Sequence, residues 1–240
     1  MRRGVRFEWG EHGARALAQS CDVLVIVDVL SFTTAVDVAV SRGAHVLPYA
    51  GRDVRDARAL AEREQAVLAV NRRDMSGNEP YSLSPASLTD IPRGTRLVLP
   101  SPNGSTLSAI AAEARRILLA GCLRNASAVA HAALHMGVAM GIVASGERWP
   151  DGSLRPALED LLGAGAVISG LDGLPRSAEA EIAVAAFAHA RDHLDRILRD
   201  CVSGQELIET GFAHDVALAA QLDVSGAVAV YAAGAYRPTA

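Results

Sequence analysis

The 240-residue chain contains no lysine; its 23 basic residues are all arginine. That excludes Schiff-base chemistry and any catalytic lysine ammonium. Aromatic residues make up only 4% of the chain, and the formal net charge is −4. A nucleic-acid binder needs a basic face and stacking aromatics, so no nucleic-acid partner is expected. No uninterrupted apolar stretch reaches the roughly 18–20 residues of a membrane helix, and the basic N-terminus lacks the apolar run of a signal peptide. Neither a membrane nor export is expected. The three cysteines, Cys21, Cys122 and Cys201, match no zinc or redox spacing. They read as core fillers in a reducing cytoplasm.

What is present suits an ordinary folded protein, with 50% hydrophobic and 21% charged residues. A chain of this length buries roughly 70–75% of its unfolded surface and needs neither disulfide nor metal to fold. No Pro-, Ser- or Gly-rich linker divides it, which predicts one domain over residues 1–240. Residues 22–30 (DVLVIVDVL) form a β-branched run too short for a buried helix and right for a buried strand. Further strands are predicted over 45–49, 66–70, 96–99, 116–120, 138–144 and 227–232. Helices are predicted over 33–42, 54–64, 105–114, 126–135, 158–169 and 178–199, with two short ones within 203–221. Two long loops, 71–94 and 145–156, interrupt the pattern. Strands alternating with helices predict an α/β domain with helices on both faces of its sheet. Ligands in such sheets bind beyond the carboxyl ends of the strands, here after Val27, Val70, Leu99, Ala120 and Ala144.

Asp28 stands in VIVDVL with apolar neighbours on both sides. An ionised carboxylate in that setting costs several kcal/mol unless it is paired, bound to metal or at the open end of the strand. It is a candidate metal ligand or acid/base, with a simple helix cap as the plainer alternative. The turn from Ser101 to Thr106 follows a strand and opens a helix. Its N–H groups and hydroxyls at the positive end of a helix dipole suit a phosphate or sulfonate, the alternative again being an N-cap. Glu159 and Asp160 open a later helix, where neighbours point about 100° apart, so one can face a cleft while the other supports it. Glu147 and Arg148 follow strand 138–144, and Arg124 follows strand 116–120, all on the same side of the sheet. The pairs His131/His135 and His189/His193 lack the Glu of H-E-x-x-H, so no zinc site is expected from them. The small-residue run from Gly163 to Gly170 follows a helix-like segment, which favours close helix packing over a dinucleotide fingerprint.

The order Val27-Asp28-Val29-Leu30, Thr33-Thr34, Asn103-Gly104-Ser105 and Glu159-Asp160 before Ala164-Gly165-Ala166 resembles the 2-phosphosulfolactate phosphatase family. The similarity in layout extends over roughly residues 20 to 232. The resemblance implies a three-layer α/β/α fold with a mostly parallel or mixed central sheet. It also implies a magnesium-dependent phosphatase that removes phosphate from 2-phosphosulfolactate, a step toward coenzyme M. On this chain Asp28, Glu159 and Asp160 become candidate Mg²⁺ ligands, with Asp28, Glu147 and Glu159 as catalytic candidates. Thr33, Thr34, Asn103, Gly104, Ser105, Thr106, Arg124 and Arg148 become candidates for binding a small anionic phosphorylated substrate. A homodimer is compatible with this reading. Ser31 departs from the family's usual Arg, and residues 71–75 depart from its Gly-Glu-Arg-Gly-Gly stretch; Arg72 and Arg73 are candidates to restore the lost charge. Two other readings carry the same motifs: a magnesium phosphatase for another small phosphorylated acid, and a non-catalytic anion-binding protein.

Overall fold

Val23–Val27, the middle of the β-branched run, form strand β2 and are buried on both faces. The computed structural model describes residues 3–51, 53–70, 72 and 80–239. Asn71, Arg73, Asp74 and Met75 of the first long loop therefore lie outside the described residues. Strand β1 is Gly4–Trp9, β3 His45–Tyr49, β4 Val67–Leu68, β5 Arg96–Pro100, β6 Ile117–Gly121 and β7 Ala139–Ala144. The short β8 (Glu147–Arg148) and β9 (Leu154–Arg155) pair with each other, and β10 (Ala229–Ala232) and β11 (Ala235–Pro238) form a hairpin. The helices are α1 (Gly10–Ala18), α2 (Phe32–Ser41), α3 (Val54–Arg63), α4 (Gly104–Glu113), α5 (Ala126–Met136), α6 (Leu158–Ser169), α7 (Ala178–Ala190), α8 (Leu194–Asp200), α9 (Val202–Glu209) and α10 (Ala213–Ala219).

Successive strand side chains point to opposite faces, so β2 feeds two separate cores. Val23, Val25 and Val27 join Val129 of α5, Val167 of α6 and Phe187 of α7. Leu24 and Ile26 join Leu17 of α1, Phe32 of α2 and Leu107 of α4. Helices on both faces make this a three-layer α/β/α fold. The sheet is mixed, in the order β1-β7-β2-β6-β10-β11-β3-β5-β4. β1, β7, β2 and β6 are parallel neighbours, as are β3, β5 and β4. The antiparallel β10–β11 hairpin joins these two blocks.

Several elements differ from the sequence expectation. The 66–70 strand shortens to Val67–Leu68, and the 178–199 helix is divided by a 3₁₀ turn at Arg191–His193. β1 and α1 were not expected, although Val5 and Phe7 alternate inward with Arg6 and Glu8 in the period-two pattern of a strand. The 145–156 loop contains the β8–β9 hairpin. Among the described residues no helix is long and apolar enough to cross a membrane.

The glycine run of α6 acts by close packing. A Cβ on Gly163 would lie 2.6 Å from Val29 Cγ2, and one on Gly165 only 2.1 Å from the Ala183 carbonyl oxygen of α7. Backbone cannot yield as a flexible side chain does, so Gly165→Ala must separate α6 from α7. Overpacking of this kind costs about 1–3 kcal/mol or more. Gly165→Ala is expected to lower the denaturation midpoint accordingly, whereas Gly173→Ala, with open space at its Cβ but a φ of +75°, should cost only its backbone strain.

Candidate active site

Asp28 follows β2 and is 6% exposed. Its Oδ1 accepts a hydrogen bond from the Phe32 amide at 3.2 Å and its Oδ2 one from the Gly104 amide at 2.8 Å. One carboxylate thus receives the first amides of both α2 and α4. The approach requires glycine at 104, because a Cβ there would lie 2.2 Å from Phe32 Cδ1 and 2.7 Å from Asp28 Oδ2. The turn before α2 is braced by the two threonines expected to touch substrate. Thr33 donates to the Asp28 carbonyl and Thr34 to the Val29 carbonyl, each at 2.8 Å, and both side chains are fully buried. The structure thus gives Thr33 and Thr34 to the backbone of the turn.

The Asn103–Thr106 turn is likewise largely occupied by the protein itself. The Gly104 amide serves Asp28, Ser105 donates to the Leu99 carbonyl at 3.1 Å, and Thr106 donates to the Pro102 carbonyl at 2.8 Å. Asn103 is different: its Nδ2 donates to Glu147 Oε2 at 2.9 Å, which brings the loop after β5 to the loop after β7. From the first turn of α6, Asp160 accepts the Val29 amide at 2.7 Å and the Gly146 amide at 2.8 Å. It ties the ends of β2 and β7 together, and both its oxygens already hold a partner. Glu159, 2% exposed, accepts at Oε2 from the Cys201 thiol at 3.5 Å. Cys201, expected as a core filler, therefore also contacts a buried carboxylate.

The arginines part company. Arg124 Nε donates to Asp37 Oδ2 at 2.9 Å, and its Nη1 reaches Leu218 O and Gln221. It lines a cavity with Val40 and Ser225, and its guanidinium pins the C-terminal segment to α2. Arg148 lines a cavity of about 460 Å³ with Asn103 and Glu147, and pairs with Glu11 at 2.5 Å. Arg72 lines a second cavity of about 320 Å³, which Glu147 also borders. Its Nε bonds Asp215 at 3.1 Å, its Nη2 bonds the Ser31 hydroxyl, and its Cζ lies 5.5 Å from the Phe212 ring centroid. A guanidinium from residue 72 therefore stands against Ser31.

The electrostatics mark this corner of the molecule. Burial pushes Asp28 up to about 6, and the charge of Glu159 adds to the shift against the two amides and Arg72. Burial pushes Glu147 up to about 7, with Asp28 and Glu159 adding. Asp160 is raised for the same reasons: burial first, then Glu159 and Asp28. The Cys201 thiol is pushed up to about 12 by burial and by Glu159, so it remains a protonated donor. Buried carboxylates with no bonded cation must hold protons or meet a cation. The donor set is hard oxygen, which fits a divalent cation that takes one or two carboxylates and keeps its remaining positions for water and ligand. Among the described residues no group of three or more His, Cys, Asp or Glu side chains is placed to hold a metal ion.

A stability experiment follows. Without metal, unfolded carboxylates ionise near pH 4, while Asp28 and Glu147 retain protons to about 6 and about 7. The folded state binds more protons across that window, so these groups make stability fall as pH rises from about 4 to about 7. In EDTA, an Asp28→Asn/Glu147→Gln variant should show a smaller loss of melting temperature over the window than the wild type. A divalent cation at neutral pH should raise the wild-type melting temperature and leave that of the variant nearly unchanged.

The profile of the family described as 2-phosphosulpholactate phosphatase matches residues 12–234. The chain is 30% identical over 212 residues to the 2-phosphosulfolactate phosphatase of Methanothermobacter thermautotrophicus, covering 88% of this chain and 87% of the relative. It is 31% identical over 204 residues to the probable 2-phosphosulfolactate phosphatase of Carboxydothermus hydrogenoformans, covering 84% and 82%. A probable 2-phosphosulfolactate phosphatase of Parasynechococcus marenigrum is 32% identical over 207 residues, covering 80% and 81%. With the family profile matching residues 12–234 of the 240, the chain belongs to the 2-phosphosulfolactate phosphatase family.

Proposed function

We propose that the protein is a magnesium-dependent phosphoric monoester hydrolase that converts 2-phosphosulfolactate to sulfolactate and phosphate. The observation that carries this reading is the convergence of three carboxylates from separate stretches of chain, buried Asp28 and Glu159 and half-buried Glu147, with the proton affinities of Asp28 and Glu147 raised by burial and by neighbouring carboxylates. The names of the relatives suggest the substrate. Asp28 and Glu159 are the residues that would hold Mg²⁺, leaving the other positions to water and phosphoryl oxygens. When bound, the cation supplies positive charge against the oxygens of the transferred phosphoryl group.

The remaining work falls to side chains and amides of the chain. The Phe32 and Gly104 amides hold the Asp28 carboxylate in one orientation. Asp160, clamped to Val29 and Gly146, keeps the loops after β2 and β7 in register and so fixes Asp28 against Glu147. Glu147, with its proton affinity lifted to about 7, suits a general acid near neutrality. It gives its proton to the ester oxygen as the P–O bond breaks. Water forms the new P–O bond and releases a proton to solvent, from which Glu147 is recharged. Asn103 holds Oε2 of Glu147 and leaves Oε1 for the transfer. Arg72, buttressed by Asp215 and Phe212, and Arg148 supply guanidinium charge in the two cavities beside Glu147.

Phosphate release from 2-phosphosulfolactate is expected to require Mg²⁺ and to cease in EDTA. Glu147→Gln should lower kcat by about 10²–10⁴-fold with the fold intact, and Asp28→Asn should abolish the response to Mg²⁺. Release from a different phosphorylated acid alone would keep the mechanism and change the substrate. A folded, magnesium-loaded protein that releases phosphate from no member of a panel of phosphorylated hydroxy acids would overturn the reading.

A further inference from the structure

Four of the seven histidines are spaced i, i+4: His131 with His135, and His189 with His193. Spacing alone predicts no zinc site from either pair, and the structure separates the two. α7 ends at Ala190 and His193 falls in the 3₁₀ turn Arg191–His193, so that pair does not share one α-helical face. His131 and His135 both lie within α5 and are exposed, opposite the buried face of Val129, Ala130 and Ala133. Residues four apart on an α-helix are surface neighbours. Here their ring centroids stand 4.6 Å apart.

Three features prepare this pair for a cation. His135 Nδ1 stands 2.8 Å from the His131 carbonyl oxygen. A carbonyl only accepts, so Nδ1 carries the hydrogen and the neutral ring keeps its lone pair on Nε2. Imidazoles that ligate metals are held in this way, the second ring nitrogen donating to a carbonyl or carboxylate. The helix end is the second feature. His135 lies in the last turn of α5, where the dipole is negative, and among the described residues the Gly137 amide makes no backbone bond back into the helix. Third, a Cβ on Gly137 would lie 3.4 Å from Asp22 Oδ2, so a carboxylate stands against the same helix end.

We propose that His131 and His135 form a surface chelate for a divalent transition-metal ion, Cu²⁺ before Ni²⁺ or Zn²⁺. Imidazole nitrogens suit these ions, and the Irving–Williams order places Cu²⁺ highest. Two nitrogens each about 2.0–2.1 Å from one ion lie at most about 4 Å apart. Adjacent rings on one helix face reach that spacing by rotamer changes open to exposed side chains. Water fills the remaining positions. Ala132 stands where H-E-x-x-H has its Glu, so the pair captures an ion and does not activate a water for hydrolysis. Mg²⁺ prefers oxygen ligands and does not compete. The chelate lies at the opposite end of β7 from the carboxylate cluster. α5 ends just before Ala139 and the cluster gathers beyond Ala144, about 17 Å along the strand. The proposal therefore draws nothing from the phosphatase reading.

The test is titration of the full chain with CuCl₂ in excess Mg²⁺, after EDTA treatment and removal of the chelator, read by calorimetry and electron paramagnetic resonance. One tightly bound Cu²⁺ per chain is expected, with the hyperfine pattern of two imidazole nitrogens. His131→Ala and His135→Ala should each weaken binding by more than the roughly 10–100-fold that follows loss of an outer-shell partner. His189→Ala should leave it unchanged. Both α5 positions are exposed and alanine favours a helix, so the metal-free variants should melt close to the wild type. Cu²⁺ should raise the melting temperature of the wild type and of His189→Ala, and not that of the two α5 variants. Undiminished binding in His131→Ala or His135→Ala would overturn the chelate, and so would a single-nitrogen pattern. Loss of the tight site in Asp28→Asn or His189→Ala would place the ion elsewhere and overturn it equally.

Discussion

Backbone amides donated to two buried carboxylates hold the open end of this sheet together. Asp28 receives the first amides of α2 and α4, and Asp160 receives amides from the loops after β2 and β7. Each aspartate therefore crosslinks segments that are distant in sequence, with hydrogen bonds to a charged acceptor of the stronger kind. The remaining site geometry follows from these clamps. Gly104 must be glycine because Asp28 and Phe32 crowd it. Glu159 stands beside the cluster because its neighbour Asp160 anchors the first turn of α6, and Glu147 stands there because Gly146 is held to the same aspartate.

The same arrangement gathers carboxylates at a corner where burial penalises their charged forms. Asp28, Glu147 and Asp160 are all raised, burial being the largest cause each time and neighbouring carboxylates the next. A core designed for stability alone would replace such a cluster with apolar side chains. Elsewhere in the same molecule buried charge is handled conventionally: Asp37 is met by Arg124 and Ser225, and Asp215 by Arg72, Ser84 and the Ala86 amide. The contrast lies within one chain, so it reflects local demand and not a general tolerance of this protein for buried carboxylates.

The sequence made the strand–helix alternation legible, and with it β2, α2, α4, α5 and α6, because long apolar periods and glycine stops leave little choice. Asp28 stood out for the same reason, a charge inside a β-branched run. Which way a hydroxyl or guanidinium turns is another matter. Thr33, Thr34, Ser105 and Thr106 have the residue types of an anion site, yet a side chain that can bond its own backbone often does so, and tertiary packing selects between the two. Arg124 could not be assigned from its position, since its partner Asp37 lies 87 residues away. β1 is written plainly in Val5 and Phe7 alternating with Arg6 and Glu8.

The local violations at this site are of one kind. Carboxylates lie next to carboxylates, and the proton affinities of Asp28, Glu147 and Asp160 are raised by burial and by one or more neighbouring carboxylates. Such a cluster lowers stability by itself and is relieved by a cation, which is also what hydrolysis of a phosphate ester needs beside the transferred group. A bound cation would offset these carboxylates together, which is how a fold of marginal stability comes to retain them.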